Sequence, residues 1–553
     1  MNALADIPIP TDSDLSALYR SIGTDLDAAG DSAAWRAAFA RWDEARRIWR
    51  SYASFVRLRY AQDTASAERR EAQAELDRRT PTFTALDDTL KRRFLASPHR
   101  AALEAEFGPQ AFALWDADVA AFDPAIADDL VRESNLVRAY TELLSNATVM
   151  FDGQERSLGG LDPYLRSRDR SVRYAAERAR WEAFALRADR LDDIFDQLVR
   201  VRDRMARTLG FANYVELGYK RMHRIDFDQA DVATYRAEIA KTVVPFAAEL
   251  IAKGGRRAGL DRVMFWDEAS LGTSVAPGGD SAWVLERTRE AFAALDPALG
   301  EFAAFLLDAQ LLDVDNRKGK ALGAFCTQFP TPRLPFVFAN FNGSYGDIRT
   351  LTHEFGHAFS AYRSRAKQLV DYITPTYESA EIHSMSLEYF AWPEMERYFG
   401  DGADAYRQDH LRDAMLFLPY AAAVDEFQHL VYATPSATPA ERNAMWRELE
   451  ARYMPWRDYG DLGHPLAGGL WQEKRHIYNA PFYYIDYALA SCCALQFWVR
   501  AQADRPKALA DYVALCGRGG EAAFGELVRS AGLQSPFSAG VLEGVVTAAS
   551  ATF

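Results

Sequence analysis

A mainly α-helical fold with one small β-sheet is what this 553-residue sequence predicts, and three observations carry that expectation. Apolar residues recur at three- and four-residue spacing between Arg, Asp and Glu over long stretches, the period of amphipathic helices. Strand-like runs are confined to two short places. Composition, at 49% apolar and 26% charged residues, is that of a well-packed globular chain with a sizeable core.

The helical texture begins with "AAWRAAFARWDEARRIWRSYASFVRLRYAQ" at 33–62. "RRTPTF" near 80 reads as a break, because proline removes a helical N–H. "ATVMF" leading into "DGQERS" reads as strand and turn, and "FDGQERSLGGLDP" at 151–163 as the end of the first region. Helices resume in "SVRYAAERARWEAFALRADRLDDIFDQLVRVRDRMARTLG" and "ATYRAEIAKTVVPFAAELIAK", with a further break at 270–281, "SLGTSVAPGGDS". "LPFVFANF" at 334–341 is the second strand-like run, closed by "NGSYG". Another break falls at 465–471, "PLAGGLW". The expected division is an N-terminal helical region, 1–165, and a helical region 166–553 that carries the chemistry.

A net charge of −14 argues against nucleic acid as a partner, since no Lys/Arg stripe is present to neutralise phosphates. The four cysteines, Cys326, Cys492, Cys493 and Cys516, are too few for a disulfide framework. The first residues lack a basic segment followed by an apolar one, and no apolar run reaches spanning length. A reducing cytoplasm and no membrane partner are therefore expected.

"GDIRTLTHEFGHAFSAYRS" at 346–364 carries the chemistry. With Asp347 as N-cap, Ile348, Leu351, Phe355, Ala358 and Tyr362 form one stripe of a helix, and His353 and His357 project from nearly the opposite side with Glu354 between them. Two imidazoles from consecutive turns suit a tetrahedral ion, and zinc is the best match. A third ligand is needed. The helix expected after Pro375, "TYESAEIHSMSLEYFAW", offers Glu378, Glu381 and Glu388 on one face. Such a row is often only a solvated stripe. Met385 and Trp392 share this face, which makes full solvation less natural.

"TLTHEFGHAFS" followed by "ESAEIHSMSLE" resembles the oligoendopeptidase F branch of the thimet-oligopeptidase family of zinc metallopeptidases. "ALGAFCTQFPTPRLPFVFANFNGSYGDIR" upstream and "RHIYNAPFYYIDYALAS" downstream are similar to that family in order and spacing. The resemblance implies one zinc per chain on His353, His357 and Glu381, with Glu354 as general base and Glu388 holding a ligating imidazole. It implies that His476, Tyr483 and Tyr487 stabilise the oxyanion, with Tyr484 as the alternative, and that the strand at 336–341 pairs with the backbone of an extended peptide. Ser360 stands where many relatives carry another histidine, and His383 where small residues are common. His383 is the best alternative nitrogen ligand, although it points away from the Glu381 face.

The expected architecture is a large helical body around a deep substrate cleft, with the small sheet next to the zinc-binding helix. The expected function is a zinc endopeptidase acting on oligopeptides. A zinc carboxypeptidase would use the same ligands and must also clamp a free carboxylate, for which Arg349, Arg363 and Arg475 are available. A non-catalytic peptide-binding protein with a structural zinc is the rival from another class. Glu354, which binds no metal and has no folding role, speaks against it.

Overall fold

The structure is a computed structural model, and it describes residues 4, 7–272 and 275–553. Thr273 and Ser274, inside the expected break at 270–281, lie outside the described residues. Helices dominate, as expected from the periodicity. The chain forms two compact units. One comprises residues 1–122, 275–403 and 493–535, and the other 123–274, 404–492 and 536–553.

Five short strands make two sheets among the described residues. The strand expected at "ATVMF" is present and part of the expected break at 151–163 is a second strand, so that β1 (Thr148–Phe151) and β2 (Gln154–Ser157) pair as a hairpin. Its turn residues Asp152 and Gly153 both have positive φ, the conformation a two-residue hairpin turn requires. β3 (Leu312–Asp315), β4 (Phe325–Phe329) and β5 (Leu334–Phe341) make the second sheet, in the order β3-β5-β4.

This order corrects one expectation. β5 runs parallel to β3 through Leu312↔Val337 and Asp313↔Phe338, and antiparallel to β4 from Phe325↔Phe338 to Phe329↔Leu334. A strand bonded on both sides has no ladder to offer, so the stretch beginning at 336 is central and not an edge. The Ala339 carbonyl is likewise occupied, by the buried Lys320 ammonium at 2.5 Å. β4 is the edge strand on that side.

In the first unit, α1 (Asp12–Ala28), α2 (Ser32–Gln62) and α3 (Ala67–Leu95) each start at a capping side chain, Thr11, Asp31 and Ser66, that accepts a first-turn backbone N–H. Their apolar stripes meet in a core that includes Tyr19, Phe39, Trp42, Leu76, Phe94 and Trp115. α3 runs through Pro81, where the sequence suggested a break. An internal proline costs a helix about 3 kcal/mol. Burial of Leu76, Leu90 and Phe94 on one continuous stripe, at about 1.5–3 kcal/mol each, outweighs that.

α4 (Tyr345–Ser364) follows β5 and packs on β4 and β5, placing the small sheet beside the HEFGH helix. It opens at Tyr345 with Ser344 as N-cap, so Asp347 is not the cap the sequence suggested. Gly343, at φ +82, turns the chain so that the Asp347 carboxylate accepts the N–H groups of Asn342 at 3.0 Å and Gly343 at 2.7 Å. The expected apolar stripe is realised: Ile348, Leu351, Phe355 and Ala358 are fully buried, with the Phe355 ring 5.2 Å from that of Phe292. α5 (Tyr377–Phe390) is the second expected helix.

In the second unit an aromatic core surrounds Trp471, whose ring lies 4.7 Å from Phe195 and 5.0 Å from Phe427. α6 (Tyr484–Arg518) starts in this unit. No described helix is long and apolar enough to cross a membrane. All four cysteines are free thiols.

Candidate metal centre

α4 brings His353 and His357 together one turn apart, their ring centroids 5.0 Å from each other. α5 brings Glu381 against both: its Oε2 is 3.3 Å from His353 Nε2 and 3.4 Å from His357 Nε2. These three are the set of potential ligand atoms found converging among the described residues. Ligand atoms bound at about 2.0–2.1 Å around a tetrahedral cation sit about 3.3 Å apart. The spacing of the Glu381 oxygen from each imidazole nitrogen fits such an ion. Ser384 Oγ donates to Glu381 Oε2 at 3.0 Å and orients it.

The two helices come this close because of Gly356, the glycine inside the HEFGH motif. A Cβ there would lie 2.5 Å from both the His383 carbonyl oxygen and Ser384 Cα. Helix backbones in contact need a residue without a side chain at the crossing point. A glycine inside a helical pattern is the sequence signal for such an approach.

Glu388, one further turn pair along α5, lies behind His353. Its Oε1 is 2.7 Å from His353 Nδ1 and its Oε2 accepts from Arg349 Nε at 3.1 Å. The bond to Nδ1 fixes the imidazole tautomer and leaves Nε2 free to face the ligand position. Replacing Glu388 with Ala is expected to weaken metal binding by about 10–100-fold, read by competition with a chromogenic chelator.

The row Glu378, Glu381 and Glu388 is not a solvated stripe, since their exposures are 1%, 4% and 2%. Glu378 stays out of the ligand group and accepts the hydroxyl of Thr376, at the start of its own helix. Glu354 is also buried, and its Oε2 has no hydrogen-bond partner. The imidazoles of His353 and His357 are each about one-fifth exposed, which leaves the ligand position accessible.

Charges in this cluster distort one another strongly. Burial works against a charged His353, yet hydrogen bonds to Glu381 and Glu388 outweigh it and raise its pKa well above the ordinary value. Burial would raise Glu381, but His357 and His353 drive it well below the usual carboxylate range. Glu354 goes up, because burial dominates over the two histidines. Carboxylates and imidazoles this tightly gathered draw positive charge, which a divalent cation supplies more compactly than protons do.

His383 does not join the ligands. Its imidazole is buried, and burial followed by the nearby His357 lowers its pKa to about 3. Its carbonyl accepts from Tyr512 at 2.9 Å. Cys326 on β4 lies close enough to Glu354 to feel its charge, although burial is the main reason its thiol pKa is raised. This places β4 beside Glu354.

In the second unit, His476, Tyr483 and Tyr487 form a ring cluster, with centroids 6.0 Å from His476 to each tyrosine and 4.9 Å between the two tyrosines. All three are half-buried, whereas Tyr484 is buried, with its ring 5.0 Å from that of His476 and edge-on to Tyr420 at 5.8 Å. Pro481 lies ahead of the helix that carries Tyr487. α6 starts at Tyr484, after Phe482 has adopted a left-handed φ of +67. Three contacts impose that turn. Gln428 Oε1 accepts the Phe482 N–H at 2.9 Å, Arg224 Nη2 donates to its carbonyl at 2.5 Å, and the ring packs over Gly218, where a Cβ would be 2.6 Å away. Arg224 also pairs with the buried Asp486 at 2.7 Å.

The chain is similar to known proteins over most of its length. Residues 300–547 match the model of peptidase family M3, and residues 6–122 match the peptidase M3 N-terminal domain. Oligopeptidase PepF of Bacillus subtilis (strain 168) is 22% identical over 376 residues, 63% of this chain and 52% of that protein, so the chain spans about half the length of this curated relative. PZ peptidase A, solved with an inhibitor, is 39% identical with a TM-score of 0.94, covering 99% of this chain and 98% of its own. A structure described as an oligoendopeptidase F from Bacillus anthracis str. Ames is 38% identical with a TM-score of 0.89, covering 99% of this chain and 97% of its own. With two relatives of known structure matched at that identity over nearly their whole length, the chain belongs to peptidase family M3.

Proposed function

We propose that the protein is a zinc-dependent endopeptidase that hydrolyses internal bonds of oligopeptides, with its chemistry in the 166–553 region. The observation that carries this reading is the convergence of His353, His357 and Glu381 next to a buried carboxylate, Glu354, whose Oε2 lacks a partner. His353, His357 and Glu381 would hold the zinc, which would supply Lewis acidity that lowers the pKa of a water to about 7 and polarises a carbonyl oxygen. Glu354 takes the proton of the attacking water at its free oxygen and delivers it to the leaving nitrogen. Glu388 keeps His353 in the tautomer that ligates through Nε2. His476, Tyr483 and Tyr487 are the proposed hydrogen-bond donors to the oxyanion, where one preorganised donor is worth about 2.7–4 kcal/mol.

Substrate backbone would add to the outer edge of β4, the strand next to Glu354, rather than to the central β5. Main-chain pairing of this kind reads no side chain and suits an enzyme tolerant of sequence.

Two features speak against a purely structural zinc. Three protein ligands leave a coordination position open, where structural sites close all four. An unpaired buried carboxylate oxygen costs about 1–3 kcal/mol and returns nothing to folding. Of the three arginines available to a carboxypeptidase, Arg349 is committed to Glu388, and Arg363 lies beside Gly517.

The test is product mapping on peptides acetylated at one end and amidated at the other. Internal cleavage of these blocked peptides is the expected result. Intact blocked peptides together with stepwise loss of residues from free C-termini would select the carboxypeptidase.

A further inference from the structure

The first unit holds a second buried polar cluster, which the chemistry above does not use. α2 carries Asp43, Arg46, Arg47 and Arg50 on one side, and all four reach the connector that joins α4 to α5. Arg46, 1% exposed, donates to Asp371 at 2.6 Å and to Asp43 at 2.9 Å, with its guanidinium 3.8 Å from the Trp42 ring centroid and 5.4 Å from that of Trp115. Asp43 accepts the Val370 N–H at 3.0 Å and pairs with Arg47 at 2.7 Å. Arg47 in turn donates to the carbonyls of Lys367 and Gln368 at 3.0 and 2.8 Å. Arg50 reaches Asp371 at 3.0 Å and the Val370 carbonyl at 3.2 Å. Burial alone would raise the pKa of Asp371, but Arg46 and Arg50 hold it down to about 2.

The same helix holds the sheet. Ser51 Oγ accepts the N–H of Thr331 in the β4–β5 turn at 2.9 Å, the Ala61 carbonyl accepts Ala321 N–H ahead of β4 at 2.7 Å, and Gln62 Nε2 donates to Asp313 of β3 at 3.0 Å. One rigid rod thus touches the connector between the two ligand-bearing helices, the turn of the β4–β5 hairpin and the strand on the far side of β5.

The contact at Gly356 fixes how closely α5 approaches α4. It does not stop α5 from turning about its own axis or sliding along it. Either motion carries Glu381 away from the two imidazoles; Glu388, bonded to His353 and Arg349, and the Tyr512 hydroxyl on the His383 carbonyl resist it along α5, and the connector resists it at the start of the helix. Its far side is held by the 519–521 loop, where Gly520 N–H donates to the Tyr372 carbonyl at 2.9 Å. Its near side rests on the charged residues of α2. A buried ionic cluster gives little stability over apolar packing of the same volume, whereas removing one partner leaves an uncompensated buried charge.

We propose that the Asp43–Arg46–Asp371 cluster is a positioning device through which α2 sets Glu381 against His353 and His357, in register with the β4 edge. The proposal rests on the metal-site reading above. Arg46 touches neither metal nor substrate, so it is a positioning residue, and the test reads metal affinity and the split between kcat and KM as well as stability.

Arg46→Met keeps the length of the side chain between the two indoles and removes the charge. Asp371→Asn is the milder partner variant, and it carries the comparison if Arg46→Met does not fold. Leu76→Ala, in the α3 core, is the control for a general loss of stability. Zinc dissociation constants are measured on full-length proteins by chelator competition, and kcat and KM on one blocked peptide. The expected result is zinc bound at least about 10-fold more weakly in Arg46→Met and Asp371→Asn, a lower kcat with KM within two-fold of wild type, partial recovery in Arg46→Lys, and no change in zinc affinity in Leu76→Ala. A lowered Tm with zinc affinity and kcat within two-fold of wild type would overturn the proposal and leave the cluster a structural brace. A wild type that binds no zinc would instead overturn the metal-site reading, and this inference with it.

Discussion

Glu354→Gln is expected to bind zinc and peptide as the wild type does and to lose turnover by about 10²–10⁴-fold. The change is nearly isosteric and touches no ligand. Glu354 lies between His353 and His357 in sequence, but its carboxylate stays out of the ligand group and keeps one oxygen without a partner. An amide at that position can accept a hydrogen bond from a water yet cannot take its proton. Both proton transfers assigned to the residue then fail together, so the loss falls on kcat and leaves KM in place. Zinc content and peptide affinity are measured alongside kcat to separate loss of the base from loss of the site. Turnover near wild type would remove Glu354 from the mechanism.

His357→Ala and Glu381→Gln are each expected to weaken zinc binding by on the order of 100-fold or more, beyond what loss of an outer partner such as Glu388 produces. The reason is geometric. Two different constraints place the ligand atoms: the helical repeat of α4 for the two histidines, and the Gly356 crossing for Glu381, whose oxygen lies 3.3 and 3.4 Å from the two imidazole nitrogens. No fourth residue among those described converges on the same point. His383 cannot replace a lost ligand, because its buried ring lies outside the group. Activity should fall with metal occupancy in both variants and recover in part at high zinc concentration. Full zinc content in either variant would show that the ligand assignment is wrong.

Much of this site is legible in the sequence because its parts are periodic. The 3.6-residue repeat puts Ile348, Leu351, Phe355 and Ala358 in the core and the two histidines on the other face, and the structure follows it. The Asp152–Gly153 hairpin and the limits of β5 are equally local, since turn chemistry and an uninterrupted β-rich run specify them.

What is not legible depends on partners remote in the chain. That β5 is central and β4 the edge follows from a crossover that begins at Leu312, and a strand does not announce how many neighbours it has. Phe482 takes a left-handed conformation only because Gln428, Arg224 and Gly218 surround it. The burial of Asp43, Arg46 and Arg47 on α2 depends on the connector, which lies some 320 residues later in the chain. Gly356 is an intermediate case: the sequence displays it, but its meaning appears once a second backbone lies against it.

The most direct test of the central claim is cleavage of one end-blocked peptide by metal-stripped protein during titration with zinc. The expected trace starts at no activity and rises to a break at one zinc per chain, with every product arising from an internal bond. Equal cleavage before zinc is added, or none at any zinc concentration, would contradict the account.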